Sequence, residues 1–442
     1  MTKTFITEPP RKTELLDSHD VIVIGGGPAG ICAGLAAARR GAKTLLIEQA
    51  GCLGGIATVG LHQKIAQFRG SRGQGNIVGG IPAEIVERAV RDYEADFFPG
   101  GHDGLFVEIE GYKYLLDRMA EEAGLEVLFY SQVSDVVRKN GKLVGVILNN
   151  KSGRFAALAK ILIDCSGDGD VAYRAGCRMM HGRLGDGKMQ PVTLMYTVGG
   201  VDTDAVRGYM AEDHKLRNFC RIAAEQGYMR PWQSELMGFW FNSHRPDQVN
   251  ANFTHMAYDG ACAFDLTAAA VEGRRQVREA VEAMRALIPG FQDSYLITTA
   301  SHIGVRETRR IFGRYVLTED DIKRQAIFED SIGLGSAFID IHNTEGPGMD
   351  KKSGFTLPPG GYYSIPFRSL IPESINNLLV AGRCHSATHE AAGSTRWMTQ
   401  CMVMGQAAGT AAQIAIKRRE LIVDIDIAEL QKQLKADGAI LF

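Results

Sequence analysis

No apolar run in the 442-residue chain reaches the length of a transmembrane helix. The first twenty residues are polar and lack the apolar core of a secretory signal, so residues 1–19 read as a short flexible lead-in. A formal net charge of −2 offers no basic field for nucleic acid or an anionic membrane, and neither is expected as a partner. The eight cysteines are scattered and include no C-x-x-C. That excludes a disulfide scaffold, a cysteine zinc site and a dithiol redox centre, and makes a reducing cytoplasm the expected compartment. There is no H-E-x-x-H or other ligand-spaced cluster, so no metal is expected. Internal repeats and low-complexity tracts are also missing. What remains is ordinary for a globular protein: 45% apolar and 23% charged residues, in a chain long enough for about two or three domains. Glycine is abundant at 51 residues, which suits tight loops and close approaches of backbone to ligand.

The most informative segment begins at Asp20. Val21-Ile22-Val23-Ile24 is a β-branched run that reads as a buried strand, and Gly25, Gly27 and Gly30 fit G-x-G-x-x-G. Residues 31–40 are Ala-rich and predict a helix; residues 43–47 predict a second strand, ending at Glu48. In this context Gly25 permits the tight turn, Gly27 lets backbone approach a pyrophosphate, and Gly30 lets helix and strand pack closely. Pro28 and Ala29 open the helix, whose free N–H groups and positive dipole end favour phosphate. Glu48 is placed to accept hydrogen bonds from an adenosine ribose. The strand, the helix and the terminal acid together make a dinucleotide site the expected reading.

Further along, residues 81–93 and 112–123 predict helices, and 127–130 a short strand. Residues 133–138 and 143–149 alternate around Asn140-Gly141, a hairpin signal. Residues 159–164 predict a strand that runs into Cys165-Ser166-Gly167-Asp168-Gly169-Asp170. The stretch 175–373 mixes strand-like pieces (192–198) with helical ones (266–287) and reads as an inserted substrate domain. The nucleotide fold then resumes over 374–420, with a strand at 377–382 and a small-residue helix at 400–417; an amphipathic helix at 425–436 fills the terminal segment 421–442. The expected fold is α/β: a Rossmann-like domain over 20–174 and 374–420, interrupted by a mixed α+β domain.

One fingerprint cannot separate NAD from FAD, but the C-terminal segment can. A buried strand ending Ala381-Gly382 leads to Met404-Gly405-Gln406-Ala407-Ala408-Gly409, where small residues would let a helix approach a flat ring. On these residues, with Gly54-Gly55, residues 163–170, Gly304-Val305-Arg306-Glu307-Thr308-Arg309-Arg310 and Ala387-Thr388-His389-Glu390-Ala391, the chain resembles the bacterial FAD-dependent oxidoreductase family. That family is related to the glutathione-reductase-type flavoproteins and, more loosely, to fumarate reductase flavoproteins. The resemblance covers about residues 20–417 and implies a glutathione-reductase-type FAD domain and redox chemistry; the expected reaction is hydride transfer at flavin N5, with FAD held non-covalently because a lone cysteine without an attachment signature is weak ground for a thioether. It implies cofactor contacts from Gly25, Gly27, Pro28, Ala29, Gly30, Glu48, Gly54, Gly55, Gly167, Asp168, Gly382, Arg383, Gly405, Gln406 and Ala407. In the wider superfamily an acid commonly follows the late glycine and binds the ribityl chain. Arg383 stands there in this chain, which leaves the ribityl partner unassigned.

The loop 383–396 gathers Arg383, His385, His389, Glu390 and Arg396 beside the expected ring. His389 with Glu390 is the favoured proton-transfer pair and His385 a second candidate; the alternative is that these groups only orient cofactor and loop. Arg306 and Arg310 stand four apart, so one helical face would present both. With Arg309 they read as a clamp for a substrate anion or a flavin contact, or else as ion pairs with Glu307 and Glu319. Cys52 lies near the cofactor path, where a thioether is conceivable. His62, His181 and Trp397 are further candidates for the cavity wall. The expected activity is that of an FAD-dependent dehydrogenase or reductase acting on a small organic substrate, an anionic one where the arginines act as a clamp. The alternatives are a monooxygenase using NAD(P)H, against which stands the lack of a second nucleotide fingerprint, and a tRNA-associated flavoprotein.

Overall fold

The computed structural model describes residues 6–7, 9–97, 104–235, 238–242 and 244–442. The β-branched run forms β1 (His19–Ile24), and the Ala-rich stretch forms α1 (Pro28–Arg39) with Pro28 in the first turn, where its missing N–H leaves no partner unmet. β2 (Thr44–Ile47) follows. α2 (Ile81–Asp92) and α3 (Ile109–Glu122) lead to β3 (Glu126–Leu128). β4 (Gln132–Lys139) and β5 (Lys142–Asn150) form the expected hairpin, turning on Asn140 and Gly141 at φ 52 and 76. Positive φ at both central residues matches the right-handed twist of paired strands.

β6 (Gly153–Asp164) is longer than its alternating half suggests, because it serves two sheets. Its first half pairs antiparallel with β5 and its second half parallel with β1. The lead-in is not wholly free either: Glu14–Leu15 pairs with Phe155 and Ala156 of β6.

The chain then builds a separate antiparallel sheet from β7 (Tyr196–Gly199), β8 (Gly238–Phe241), β9 (Val249–Asn252) and β10 (Tyr295–Thr299), in the order β8-β9-β7-β10. The long α4 (Ala263–Leu287) covers it. Tyr196, Phe219, Phe253 and Phe291 are fully buried in the core between them. After β11 (Arg309–Ile311) the packing changes. Leu317, Ile332, Ile341, Tyr363 and Phe367 join the core of the nucleotide fold. The region read as one inserted unit over 175–373 therefore contributes to three cores, and its second part packs its apolar residues against the last long helix.

β12 (Leu378–Val380) closes the parallel sheet, whose order is β3-β2-β1-β6-β12. α5 (His389–Thr395), α6 (Met398–Arg418) and α7 (Ile427–Ala436) complete the chain. α6 lies across α1 at very short range. A side chain at Gly405 would strike the Ala29 carbonyl, and one at Gly409 the Ala33 carbonyl. Among the described residues no helix is long and apolar enough to cross a membrane.

Candidate active site

The glycine turn after β1 is built as the fingerprint requires. Gly25 sits at φ +95, and a side chain there would strike the Cys165 carbonyl at the end of β6. One at Gly30 would collide with the Gly25 carbonyl, so turn and helix touch. At Gly27 the opposite holds: a Cβ would meet nothing within 4 Å. Gly27 caps α1 with no side-chain hydrogen bond, so the first-turn N–H groups face that open space. Glu48 is buried beside the turn, its carboxylate accepting from Gly26 N at 2.6 Å and Ala50 N at 2.7 Å. Gly54 N donates to Gly26 O at 2.9 Å, and a Cβ at Gly55 would lie 2.9 Å from Gly27 Cα. Gly382, at φ +99, faces Ala29. The residues expected around a dinucleotide at 25–30, 48, 54–55 and 382 therefore converge on the N-terminus of α1.

The expectation for Gly405, Gln406 and Ala407 needs correction. α6 begins at Met398, so these residues lie two turns inside it. Gly405 packs directly on α1, and the Gln406 Oε1 accepts from Ile81 N at 2.9 Å, capping α2. The N-terminus of α6 is at Trp397, which caps the helix without a side-chain hydrogen bond. Trp397 Nε1 and both amide atoms of Gln400 are buried there without a partner among the described residues.

Residues 54–66 run from the glycine turn to that helix end; Val59 O accepts from His302 N at 3.1 Å, and Ala66 O from Thr399 Oγ1. Beside this segment lies a cluster of buried polar groups. Arg396 donates to Asp340 at 2.7 Å, and Asp340 lies 3.5 Å from His342 Nε2. The His342 and His255 rings are 6.5 Å apart, and Arg306 Nη1 donates to Pro191 O at 2.7 Å. Arg306 is partly buried. Burial, then the like charge of Arg396, push its pKa down to about 9. Burial first, and the Arg306 charge with it, push His62, His255 and His342 down to about 4, so all three are neutral at pH 7. For Asp340, burial works to raise the pKa, but Arg396, His342 and Arg306 hold it well below the usual carboxylate range. Two guanidiniums thus face a single carboxylate. His62 Nδ1, His255 Nδ1, Gln190 Nε2 and Arg396 Nε are buried without partners among the described residues.

The partner of His389 also differs from the expected one. His389 Nδ1 lies 2.9 Å from Glu307 Oε1, not against the half-buried Glu390. Glu307 further accepts from Gln190 N at 3.1 Å and pairs with Arg310. Burial alone would raise the Glu307 pKa, but the His389 hydrogen bond and the Arg310 charge lower it. Held as a carboxylate, it accepts a hydrogen bond from His389 Nδ1–H; that tautomer leaves the lone pair on Nε2, which has no partner among the described residues. His385 is a core histidine, with Nε2 2.7 Å from Thr395 Oγ1, Nδ1 3.4 Å from Ser369 Oγ and a pKa pushed down to about 3 by burial.

No helix carries the arginine cluster; Arg309 and Arg310 lie on β11 and only Arg306 reaches the buried site. Arg310 spends its donors on Glu307, Ala387 O and Gly182 O, and Arg309 pairs with Asp170 at 2.6 Å. For these two the ion-pair reading holds, while Glu319 accepts from Thr388 instead. Cys52 is half-buried with its thiol pKa raised by burial, and His181 is 46% exposed against Asp259, outside the cluster. Asp340, His342, His255 and Gln190 were not legible in sequence, since each stands alone in a loop or strand with no motif around it. Among the described residues no three His, Cys, Asp or Glu side chains gather as a metal site.

A parallel sheet with a glycine turn and a returning C-terminal strand defines a Rossmann-like nucleotide-binding fold. The family model for FAD dependent oxidoreductases matches residues 20–434, and the chain belongs to that family; FAD is its cofactor. The chain is 26% identical over 264 residues to the tRNA uridine 5-carboxymethylaminomethyl modification enzyme MnmG of Aquifex aeolicus, covering 54% of this chain and 40% of that protein. It is 34% identical over 164 residues to thiamine thiazole synthase of Methanococcus aeolicus, covering 35% of this chain and 57% of that one. The chain thus spans about half the length of the curated relatives it matches. A geranylgeranyl bacteriochlorophyll reductase-like structure from Thermoplasma acidophilum aligns over 96% of this chain and 84% of its own, with TM-score 0.49 and 15% identity.

Proposed function

We propose that this oxidoreductase oxidises or reduces a small organic anion held at Arg306 and Arg396. The observation that carries this reading is the charge imbalance: two enclosed guanidiniums against one carboxylate, among polar atoms that lack partners. A buried cation without a counter-charge is costly, and an anionic ligand removes that cost. The open cradle at Gly27 and the uncapped start of α6 fit FAD, which would lie along residues 54–66 between them. FAD, when bound, accepts or supplies the hydride.

The protein's own groups do the rest. Gly27 and the first-turn N–H groups of α1 would hold the pyrophosphate, and Glu48 the ribose. Arg306 would bind the substrate anion, with Arg396 oriented by Asp340 beside it. His389 Nε2 would take or return the substrate proton while Glu307 fixes the ring's tautomer. The formal net charge of −2 favours a small substrate over a polyanion such as tRNA.

An anaerobic screen tests this. Holoprotein, oxidised or photoreduced, is mixed with a panel of organic acids and their neutral amides, and the flavin bands are followed. Saturable flavin reduction or reoxidation is expected with one or more acids, not with the matching amides, and saturation should vanish in Arg306→Met. Equal turnover of acid and amide would overturn the reading.

A further inference from the structure

The chain has three tryptophans, and all three stand at the buried basic cluster. Trp240 lies 5.5 Å from the His62 ring and 6.5 Å, edge-on, from Phe106. Trp232 lies 5.2 Å from His255. Trp397 adjoins Arg396 and packs 5.2 Å from Phe338, with its indole N–H buried and lacking an acceptor among the described residues. None of the three indoles is fully buried; each keeps accessible surface. Trp232 and Trp240 come from consecutive short elements, and Trp397 is brought to the same cluster from the start of α6.

We propose that the substrate is a planar aromatic or conjugated carboxylate. This rests on the anion site described above and specifies what the anion is attached to. The carboxylate would take a guanidinium fork from Arg306, with the Trp397 indole N–H as a further donor. The planar body would pack against the faces and edges of Trp240 and its neighbours. Aromatic rings gain from offset and edge-on contact with one another beyond the area they bury, whereas a puckered aliphatic ring of similar size gains only the area. With the histidines neutral, the wall is flat, polarizable and weakly polar, and the charge is confined to the arginine end.

The test uses holoprotein titrated with benzoate, cyclohexanecarboxylate and benzamide, followed by the flavin absorption bands and by tryptophan fluorescence. Benzoate should give a saturable change in both signals. Cyclohexanecarboxylate should bind roughly three- to tenfold more weakly, the range that an aromatic contact supplies, and benzamide should give no change. Trp240→Leu, checked for unchanged flavin content and circular dichroism, should bring the two acids to nearly equal affinity by weakening benzoate alone. Equal binding of the two acids by the wild-type protein, or an unchanged ratio in Trp240→Leu, overturns the aromatic assignment and leaves the anion site standing. No response to either acid, with flavin intact, overturns both.

Discussion

Arg383 and Asp168, 215 residues apart in sequence, form an ion pair of 2.8 Å between the loop after β12 and the loop after β6. Asp168 also accepts from Thr308 Oγ1 at 2.6 Å. An acid thus stands against the side chain that follows the late glycine, carried in from another loop. A side chain at Gly167 would lie 2.6 Å from Arg383 Nη2, so that glycine makes room for the pair. Asp168→Asn should weaken FAD retention about tenfold, the scale of one charge-assisted hydrogen bond. The check is the flavin-to-protein ratio after dialysis; an unchanged ratio would remove Asp168 from the cofactor site.

Two glycines of the fingerprint should fail in different ways. Gly27 has φ −70 and open space where a Cβ would stand, so Gly27→Val should fold normally and yield colourless protein. At Gly30 a side chain meets the Gly25 backbone, so Gly30→Val should lower the melting temperature before flavin content is even measured. Thermal denaturation of both variants without flavin separates the two cases. A destabilised Gly27→Val would show that the open space serves packing.

His389 and Glu307 are coupled, yet they should not give the same phenotype. His389→Ala should slow turnover of the acid found in the anaerobic screen by roughly 10²–10⁴-fold with FAD still bound. Glu307→Ala should also strip buried Arg310 of its counter-charge and cost about 3–5 kcal/mol of stability. Urea unfolding distinguishes them; a loss of FAD in His389→Ala would instead make the histidine a cofactor contact.

Stability should fall steeply in mild acid. His62, His255 and His342 have folded-state pKa values pushed from 6.5 to about 4, and His385 to about 3. Between those values and 6.5 the unfolded chain binds more protons than the folded one, so stability rises with pH. The contribution is complete above pH 6.5 and is lost as pH falls toward 4. Between pH 6.5 and 5 the four rings together should cost several kcal/mol, on the order of 1.4 kcal/mol per ring per pH unit. Melting curves across pH 5–7.5 measure this; a flat profile would mean that water reaches the rings.

The nucleotide fold was legible in sequence because its signals are local. A β-branched run, glycines at fixed offsets and an acid at the next strand end each act within a few residues, and the structure brings residues 25–30, 48 and 54–55 together as that pattern requires. The hairpin at Asn140-Gly141 was legible for the same reason. Small residues at 405–409 were visible too, but not their use: the sequence shows that a helix there can come close to something, and only packing decides that the neighbour is α1. The buried polar cluster lies further from local rules. Tertiary structure alone paired His389 with Glu307, 82 residues away, left Glu390 aside, and set Arg396 on Asp340. It also divided three adjacent arginines between two structural ion pairs and one enclosed charge. A buried charge takes its meaning from what surrounds it in space, and those partners come from loops whose sequence carries no periodicity and no fixed spacing.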